Sequence, residues 1–290
     1  MRVCGLIAVL HVPLLAAQPA EESATAIMSK VAANVEKAAE ARKQYVYQQK
    51  VRSSLIRGSG EPSRRENREY SVFPGEKGTE KKLVSFKGEY RKGKAMSGYS
   101  EPGFKYKDND MDGELIEEFT DDLVNDKQSR DGIPHSLFPL RSKDLPQYRF
   151  SMKGETEYNG RRTYRILFEP HKTEHCIHVG SDERNDCSGA AWKGEAWIDA
   201  VELQPVKIDT QLAFSIPWGV RVFLGTNFRQ MGFSVTYARV GENVWFPATY
   251  GTEFRFNVLW GYRRTITLAM ESSGFQKTDA VSKIEYDLPN

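Results

Sequence analysis

The amino-acid sequence predicts a mainly β (α+β) protein in which a single curved antiparallel sheet forms a half-open barrel around one or two helices. Three observations support this prediction. One amphipathic helix stands near the start of the chain, and about ten segments with strand patterns follow it. Many of these segments alternate apolar and polar residues, which gives the sheet one apolar and one hydrated face. A curved sheet wrapped around a helix accommodates both kinds of element.

The first twenty residues have the pattern of a secretory signal peptide. After Met1-Arg2, the range 3–15 is apolar, and small residues and a polar break follow it. The run is shorter than the roughly 20 residues that a membrane span needs. We therefore expect residues 1–20 to be removed, with residues 21–290 forming one domain that is soluble in the periplasm. The alternative is a buried N-terminal helix of a cytosolic protein.

The first predicted helix covers residues 22–42, where Ile27, Met28, Val31 and Val35 recur at spacings of three and four. A second, acidic helix is predicted between Gly113 and Asp131 on the same grounds. The dipeptide Asn159-Gly160 separates two alternating segments and predicts a tight hairpin. The predicted strands are Tyr45–Ile56, Arg64–Phe73, Lys81–Tyr90, a short one at Phe104–Tyr106, Tyr148–Tyr158, Arg161–Phe168, Gly194–Asp199, Pro205–Phe214, Val220–Val240, Val244–Phe256 and Tyr262–Glu271.

Charge is nearly balanced, with a formal net charge of +2, and acids and bases are interspersed. This balance gives no electrostatic reason to expect nucleic-acid binding. One stretch is richer in basic residues, and we interpret it as a solvated sheet edge. A second interpretation is contact with anionic lipid headgroups. Its residues are Lys81, Lys82, Lys87, Arg91, Lys92 and Lys94.

Histidine and cysteine cluster in the range 171–187, and the cluster has two interpretations. In an oxidising periplasm, Cys176 and Cys187 are expected to form a disulfide. The alternative is a zinc site around His175 and Cys187, because imidazole and thiolate are the usual zinc ligands. The spacing matches no strong zinc motif, so we predict no metal and no cofactor.

Asp108, Asp110 and Asp112 resemble the first half of a calcium-binding loop. The residue that should close such a loop with a bidentate glutamate is Phe119, so we predict instead a polar turn that caps the acidic helix. The sequence also contains no nucleophile elbow and no zinc-protease motif. We therefore predict no catalytic residues and no enzymatic activity.

Aromatic residues are concentrated in the last third of the chain, and they are the best candidates for binding an apolar ligand. The segment from Phe214 to Gly219 interrupts the strand pattern with Pro217 and could line a pocket mouth. The predicted ligand-binding residues are Trp197, Phe214, Ile216, Trp218, Phe223, Trp245 and Phe256.

The segment Gly194-Glu195-Ala196-Trp197-Ile198-Asp199, followed by Gln204-Pro205-Val206-Lys207-Ile208, resembles the periplasmic lipoprotein-carrier superfamily typified by LolA and LolB. In that superfamily, a strand ending in Asp is followed by a turn and by a Pro that opens the next strand. The resemblance implies a half-open barrel, capped by helices, that holds acyl chains.

The function expected from these residues is that of a monomeric, non-enzymatic carrier of a lipid or lipoprotein acyl chain. Such a carrier would make transient contacts with an envelope protein or a membrane surface. The main alternative is a structural or interaction module of the cell envelope, which would have a filled interior and a sheet edge that pairs with a partner.

Overall fold

A computed structural model describes residues 23–75, 78–126, 129–171, 192–213, 231–258 and 261–278. Helix α1 is Ala24–Arg42 and helix α2 is Met111–Val124, and two short 3-10 helices lie at His135–Leu137 and Leu145–Gln147. The eleven strands are β1 Tyr45–Arg57, β2 Pro62–Gly75, β3 Gly78–Lys92, β4 Ala95–Tyr99, β5 Tyr148–Tyr158, β6 Arg161–Pro170, β7 Trp192–Asp199, β8 Pro205–Leu212, β9 Phe233–Gly241, β10 Val244–Val258 and β11 Tyr262–Lys277.

The strands form one antiparallel sheet in the order β4-β3-β2-β1-β11-β10-β9-β8-β7-β6-β5. Two meanders therefore meet at its centre, where β1 pairs with β11 from Tyr45–Lys277 to Arg57–Arg264. The sheet is curved and open, as the sequence predicted. Between the edge strands β4 and β5, the chain passes through α2, which contacts β1 and β2.

Helix α1 packs its apolar stripe against β5 and β10. Ser23 caps its first turn by accepting a hydrogen bond from the backbone N–H of Ala26. The stripe is fully buried at Met28 and Val31, and Ile27 beside them is 2% exposed. Burying each such side chain contributes about 1.5–3 kcal/mol. Neither of the two described α-helices has the length and apolarity that crossing a bilayer requires.

Three predicted elements differ from the structure. Of the strand predicted at Val220–Val240, the range 220–230 lies outside the described residues, and the strand begins only at Phe233, after the irregular residues 231 and 232. The strand predicted at Phe104–Tyr106 is wrong: the strand after β3 is β4, and the following residues are irregular. Their rings pack on the sheet instead of pairing with it, since Phe104 stacks on Tyr99 at 4.9 Å and Tyr106 on Tyr90 at 5.1 Å between ring centroids.

The acidic helix α2 ends at Val124 and not at Asp131. The apolar spacing that defines it also stops there, and the backbone N–H of Asn125 closes the last turn on the carbonyl of Asp121. Asp131 is instead a buried partner of Arg42, whose Nε lies 2.8 Å from the carboxylate. A residue predicted as the end of a surface helix therefore joins the core through an ion pair.

Lys81 belongs to the predicted solvated edge, but the structure turns its side chain inward. Its Nζ donates hydrogen bonds to the carbonyl of Val124 and to Oε1 of Gln49. Burial lowers the pKa of Lys81 to about 8, while Asp131 and Asp126 act in the opposite direction. Lys81 therefore supports the C-terminal end of α2, where cations interact well with free carbonyls.

Candidate functional site

The concave side of the sheet is filled by side chains over most of its described area. The residues facing α1 form one continuous core with it. A cavity of only about 20 Å³ lies inside this core, beside Val35, Tyr237 and Trp245. That volume approaches the size of one water molecule and cannot hold an acyl chain. On this side of the described sheet, surface for an acyl chain is therefore to be sought at the margin of the core.

Five aromatic residues form such a margin, and we call them the concave aromatic row. Trp192 contacts Phe233 edge to face, with ring centroids 5.0 Å apart, and Phe233 lies 5.7 Å from Tyr250. Farther along β10, the ring of Phe254 lies 5.2 Å from Phe119 of α2. The row is thus carried by β7, β9, β10 and α2.

The row combines a buried floor with partly exposed members. Phe233 and Phe254 belong to the buried core, while Trp192, Tyr250 and Phe119 are half-buried and pack against it. Half-buried aromatic rings present a large apolar surface. A ligand could contact them without any local unfolding of the protein, because the sheet already fixes the backbone beneath them. The row therefore presents apolar ring surface along its exposed side.

The polar groups beside Phe233 and Tyr250 are hydrogen-bonded and uncharged. The hydroxyl of Thr210 donates to the carbonyl of Phe233 and accepts from its N–H, both at 2.9 Å. Thr252 donates to the carbonyl of Gly232 at 2.6 Å. Burial raises the pKa of Tyr250 to about 12, although a hydrogen bond with Thr252 opposes the shift, so the phenol stays neutral at physiological pH. An uncharged wall of this kind favours hydrocarbon over polar ligands.

Three of the predicted ligand-binding residues lie in described strands. Trp197 lies on the convex face, between Arg165 and Lys207, whose charged groups are 5.6 and 4.8 Å from its ring. Trp245 is 2% exposed and donates from Nε1 to Glu202 at 2.8 Å, so it is part of the core. Phe256 lies in β10, paired with Arg264 of β11.

The remaining predicted site residues lie outside the described residues: Phe214, Ile216, Trp218, Phe223, Cys176 and Cys187, with His175 of the alternative zinc site. Among the described residues, no group of three or more His, Cys, Asp or Glu side chains could hold a metal ion. The disulfide and the zinc site both stay predictions.

None of the five residues of the row is among the predicted ligand-binding residues, and Trp192 is the one for which the sequence carried a usable signal. Ala196 and Ile198 are fully buried, and Trp192 shares their face of β7 because side chains alternate along a strand. Trp197 lies between Ala196 and Ile198 in the strand, so its side chain points to the opposite, convex face. The alternation between Ala196, Trp197 and Ile198 was the signal that could have assigned the two tryptophans to different faces.

The motif that carries the family resemblance has a structural role here. The carboxylate of Asp199 accepts hydrogen bonds from the backbone N–H groups of Val201 and Glu202, at 3.0 and 2.7 Å, and from Arg161. Burial alone would raise the pKa of Asp199, but the hydrogen bonds from Arg161 and the backbone hold it below its usual value. Asp199 thereby shapes the turn between β7 and β8.

This turn anchors helix α1. The side-chain amide of Asn34 donates to the carbonyls of Glu202 and Leu203, at 3.1 and 3.2 Å, and the amide of Gln204 donates back to the carbonyl of Asn34. Residues of the motif therefore hold the helix in place over the sheet.

The calcium-like pattern is likewise structural. Asp110 caps α2 by accepting from the N–H of Gly113 at 3.1 Å and forms a buried ion pair with Arg64 of β2. Asp112 accepts from Tyr262 and from Nε of Arg264, and although burial alone would raise its pKa, these bonds hold that pKa below its usual value. The predicted capping turn is confirmed, and two of its three aspartates pair with arginines.

An open groove of about 840 Å³ lies at the C-terminal end of α1. Most of the residues that line it are polar or charged, with Asn34, Lys37, Glu40, Lys43 and Glu202 among them. Charged groups and amides would have to lose water without compensation if hydrocarbon filled this space. The groove is therefore a poor site for an apolar ligand, and the aromatic row is the better candidate.

Several solved structures are similar to this chain. Among solved structures, it is similar to an outer membrane lipoprotein-sorting protein domain from Vibrio parahaemolyticus, with a TM-score of 0.34, 12% identity, and coverage of 88% of this chain and 95% of that one. A LolA superfamily protein from Nitrosomonas europaea has a TM-score of 0.33 and 13% identity, with 91% and 97% of the two chains covered.

A DUF1329 family protein from Desulfovibrio piger has a TM-score of 0.36 and 9% identity, with coverage of 90% of this chain and 96% of that one. No family model matches the sequence, and no curated protein matches it. At these scores and identities, the similarity carries no conclusion about activity.

Proposed function

We propose that the protein is an exported, non-enzymatic carrier that holds an apolar ligand, such as the acyl chain of a lipid or lipoprotein, on the concave aromatic row. The observation that carries this proposal is the position of Trp192, Tyr250 and Phe119, which are half-buried at the margin of a filled core.

The same proposal includes the export of the protein, its location and its disulfide. Residues 1–20 act as a signal peptide, and residues 21–290 form a single, monomeric domain in the periplasm. The Cys176–Cys187 disulfide is part of this setting, because disulfides persist in oxidising compartments.

Native mass spectrometry of the protein purified after export, without reduction, tests the carrier. We expect a bound mass in the lipid range and a chain about 2 Da lighter than the reduced sequence. A chain that carries about 65 Da of zinc and no disulfide would contradict the proposal and support the metal site.

A pair of tryptophan variants tests the location of the ligand. Trp192→Ala should weaken binding of the fluorescent fatty acid cis-parinaric acid about tenfold, because it removes the largest of the half-buried rings of the row. Trp197→Ala is the matched control on the same strand and should leave the affinity unchanged. The reverse result would move the ligand to the convex face and contradict the assignment.

The filled core favours a second candidate, an interaction module of the cell envelope. Such a module needs no cavity, and the described core offers only about 20 Å³. It would be purified without lipid, would not bind cis-parinaric acid, and would be captured by an envelope partner through the sheet edge.

A further inference from the structure

Positive charge is concentrated in one part of this nearly neutral chain. Between residues 81 and 107 there are eight Lys or Arg and only two Glu, while the whole chain has a formal net charge of +2. This range comprises most of β3, all of β4 and the segment that follows. We call β3, β4 and residues 100–107 the basic edge, because β4 is the last strand on that side of the sheet.

The lysines of the basic edge are largely free for an external partner. Lys82, Lys87, Lys92, Lys94 and Lys107 are exposed, and none of them forms an ion pair within the described part of the chain. Charges that form no ion pair remain available to attract an anionic surface, and added salt screens this attraction. Lys81, which points inward, contributes only to the fold.

Exposed apolar side chains accompany these lysines. Six large apolar side chains are exposed in the described part of the chain, and five of them lie on or beside the basic edge. Val84 is 60% exposed and sits at a bulge in β3, where the register with β2 shifts. The five are Phe73, Leu83, Val84, Tyr106 and Met111. Lysines mixed with exposed apolar and aromatic side chains are the composition of a membrane-interface surface.

The edge is poorly suited to accept a strand from a partner protein. β4 covers only residues 88–92 of β3, so the rest of β3 has no strand beyond it among the described residues. However, bulges and lysines are the features by which proteins discourage strand addition at such edges. The bulge at Val84 and the neighbouring lysines therefore argue for a partner that is recognised by charge and hydrocarbon.

We propose that the basic edge docks the protein reversibly on an anionic phospholipid bilayer. The lysines contact the headgroup phosphates, while Val84, Leu83 and Tyr106 enter the interfacial region. This docking would place the carrier against a membrane, but it does not depend on the aromatic row or on a bound ligand.

Cosedimentation of the protein, purified after export, with lipid vesicles tests the proposal. We expect binding to vesicles of phosphatidylcholine mixed with phosphatidylglycerol, no binding to phosphatidylcholine alone, and release as NaCl is raised. Neutralising Lys82, Lys87, Lys92 and Lys94 to Gln should lower the affinity on the order of a hundredfold or more, since each basic residue near an anionic surface contributes about 1 kcal/mol.

The matched control neutralises four exposed cations toward the other edge of the sheet, Arg149, Lys153, Arg162 and Lys193, also to Gln. It changes the net charge equally and should leave vesicle affinity within about twofold of wild type. Val84→Ser should weaken binding about fivefold, because the buried apolar surface is smaller.

Equal losses in both neutralised variants, or equal binding to both vesicle types, would overturn the proposal. So would the absence of vesicle binding at low salt, or capture of an acidic peptide by the edge in place of lipid. The vesicle assay measures docking on a membrane, and the cis-parinaric acid assay measures ligand binding to the aromatic row. The docking proposal and the carrier proposal can therefore be contradicted independently of each other.

Discussion

Trp192 and Trp197 lie five residues apart on β7 and point to opposite faces of the sheet. Trp192 contacts Phe233 in the concave aromatic row, whereas Trp197 is flanked on the convex face by Arg165 and Lys207. A tryptophan packed among apolar side chains can contribute to binding hydrocarbon, while one between two cations is held by cation–π contacts. The position of these two residues decides which face is the candidate site.

Breaking the buried ion pair between Arg64 and Asp110 should destabilise the protein strongly. Asp110→Asn leaves a buried guanidinium without its counter-charge, and we expect a loss of about 3–5 kcal/mol in the free energy of unfolding. Urea unfolding of wild type and variant measures it. Glu69→Gln removes the partner of Lys50 in an exposed pair and should cost less than about 1 kcal/mol. Similar losses in both variants would contradict the role of burial.

The double variant Arg64→Met, Asp110→Asn is expected to be more stable than Asp110→Asn alone, because it no longer buries a single charge. The cap at the start of α2 is weakened to the same degree in both variants. A double variant less stable than the single one would show that Arg64 acts mainly through its contact with the Phe104 carbonyl at 2.8 Å.

Lys81 should make stability depend on alkaline pH. Its pKa in the folded protein is about 8, below the ordinary value of 10.5, so the unfolded chain binds more protons between these values. Stability therefore rises with pH across that window, by up to about 1.4 kcal/mol for each unit of the pKa difference. Relative to Lys81→Met, wild type should gain stability from pH 7 to pH 9.5 in urea unfolding.

Lys82→Met is the control for this experiment, because Lys82 is the exposed neighbour of Lys81. Its stability difference from wild type should stay constant over the same pH range. A difference between wild type and Lys81→Met that does not change with pH would contradict the burial of this amine.

Asn34→Ala should loosen the C-terminal half of α1. The change leaves the carbonyls of Glu202 and Leu203 without their donor, at a cost of about 1–3 kcal/mol. Hydrogen exchange should become faster in α1 and in the turn between β7 and β8, and not in α2. Asn67→Ala, an exposed change on β2, provides the comparison and should leave exchange unaltered.

Gly194→Ala should disrupt the pairing of β7 with β8. A Cβ atom at Gly194 would lie 1.9 Å from the carbonyl oxygen of Asp209, and the backbone there cannot move without breaking the ladder. We expect a loss of at least about 1–3 kcal/mol in thermal or urea unfolding. Gly251→Ala in β10 meets no atom within 4 Å and should be tolerated. Equal tolerance of both changes would show that β7 and β8 can separate at Gly194.

Local pattern predicted most of the elements. The spacing of Ile27, Met28 and Val31 predicted α1, and Asn159-Gly160 predicted the hairpin, where Asn159 indeed has φ +50 and Gly160 φ +75. The prediction of a strand at Phe104–Tyr106 was wrong because aromatic side chains can pack on a sheet although their backbone does not pair with it. Trp192 was overlooked because it is the first residue of its strand, where the alternation is least visible.

The sequence by itself determined the type of each element, the alternation of faces along the strands and the concentration of charge in residues 81–107. These follow from backbone geometry and composition, which act over a few residues. Only the tertiary structure decided that β1 pairs with β11, that Arg64 meets Asp110, and that the core is filled. Such contacts join distant parts of the chain, and they depend on how all the side chains pack together, which no local spacing contains.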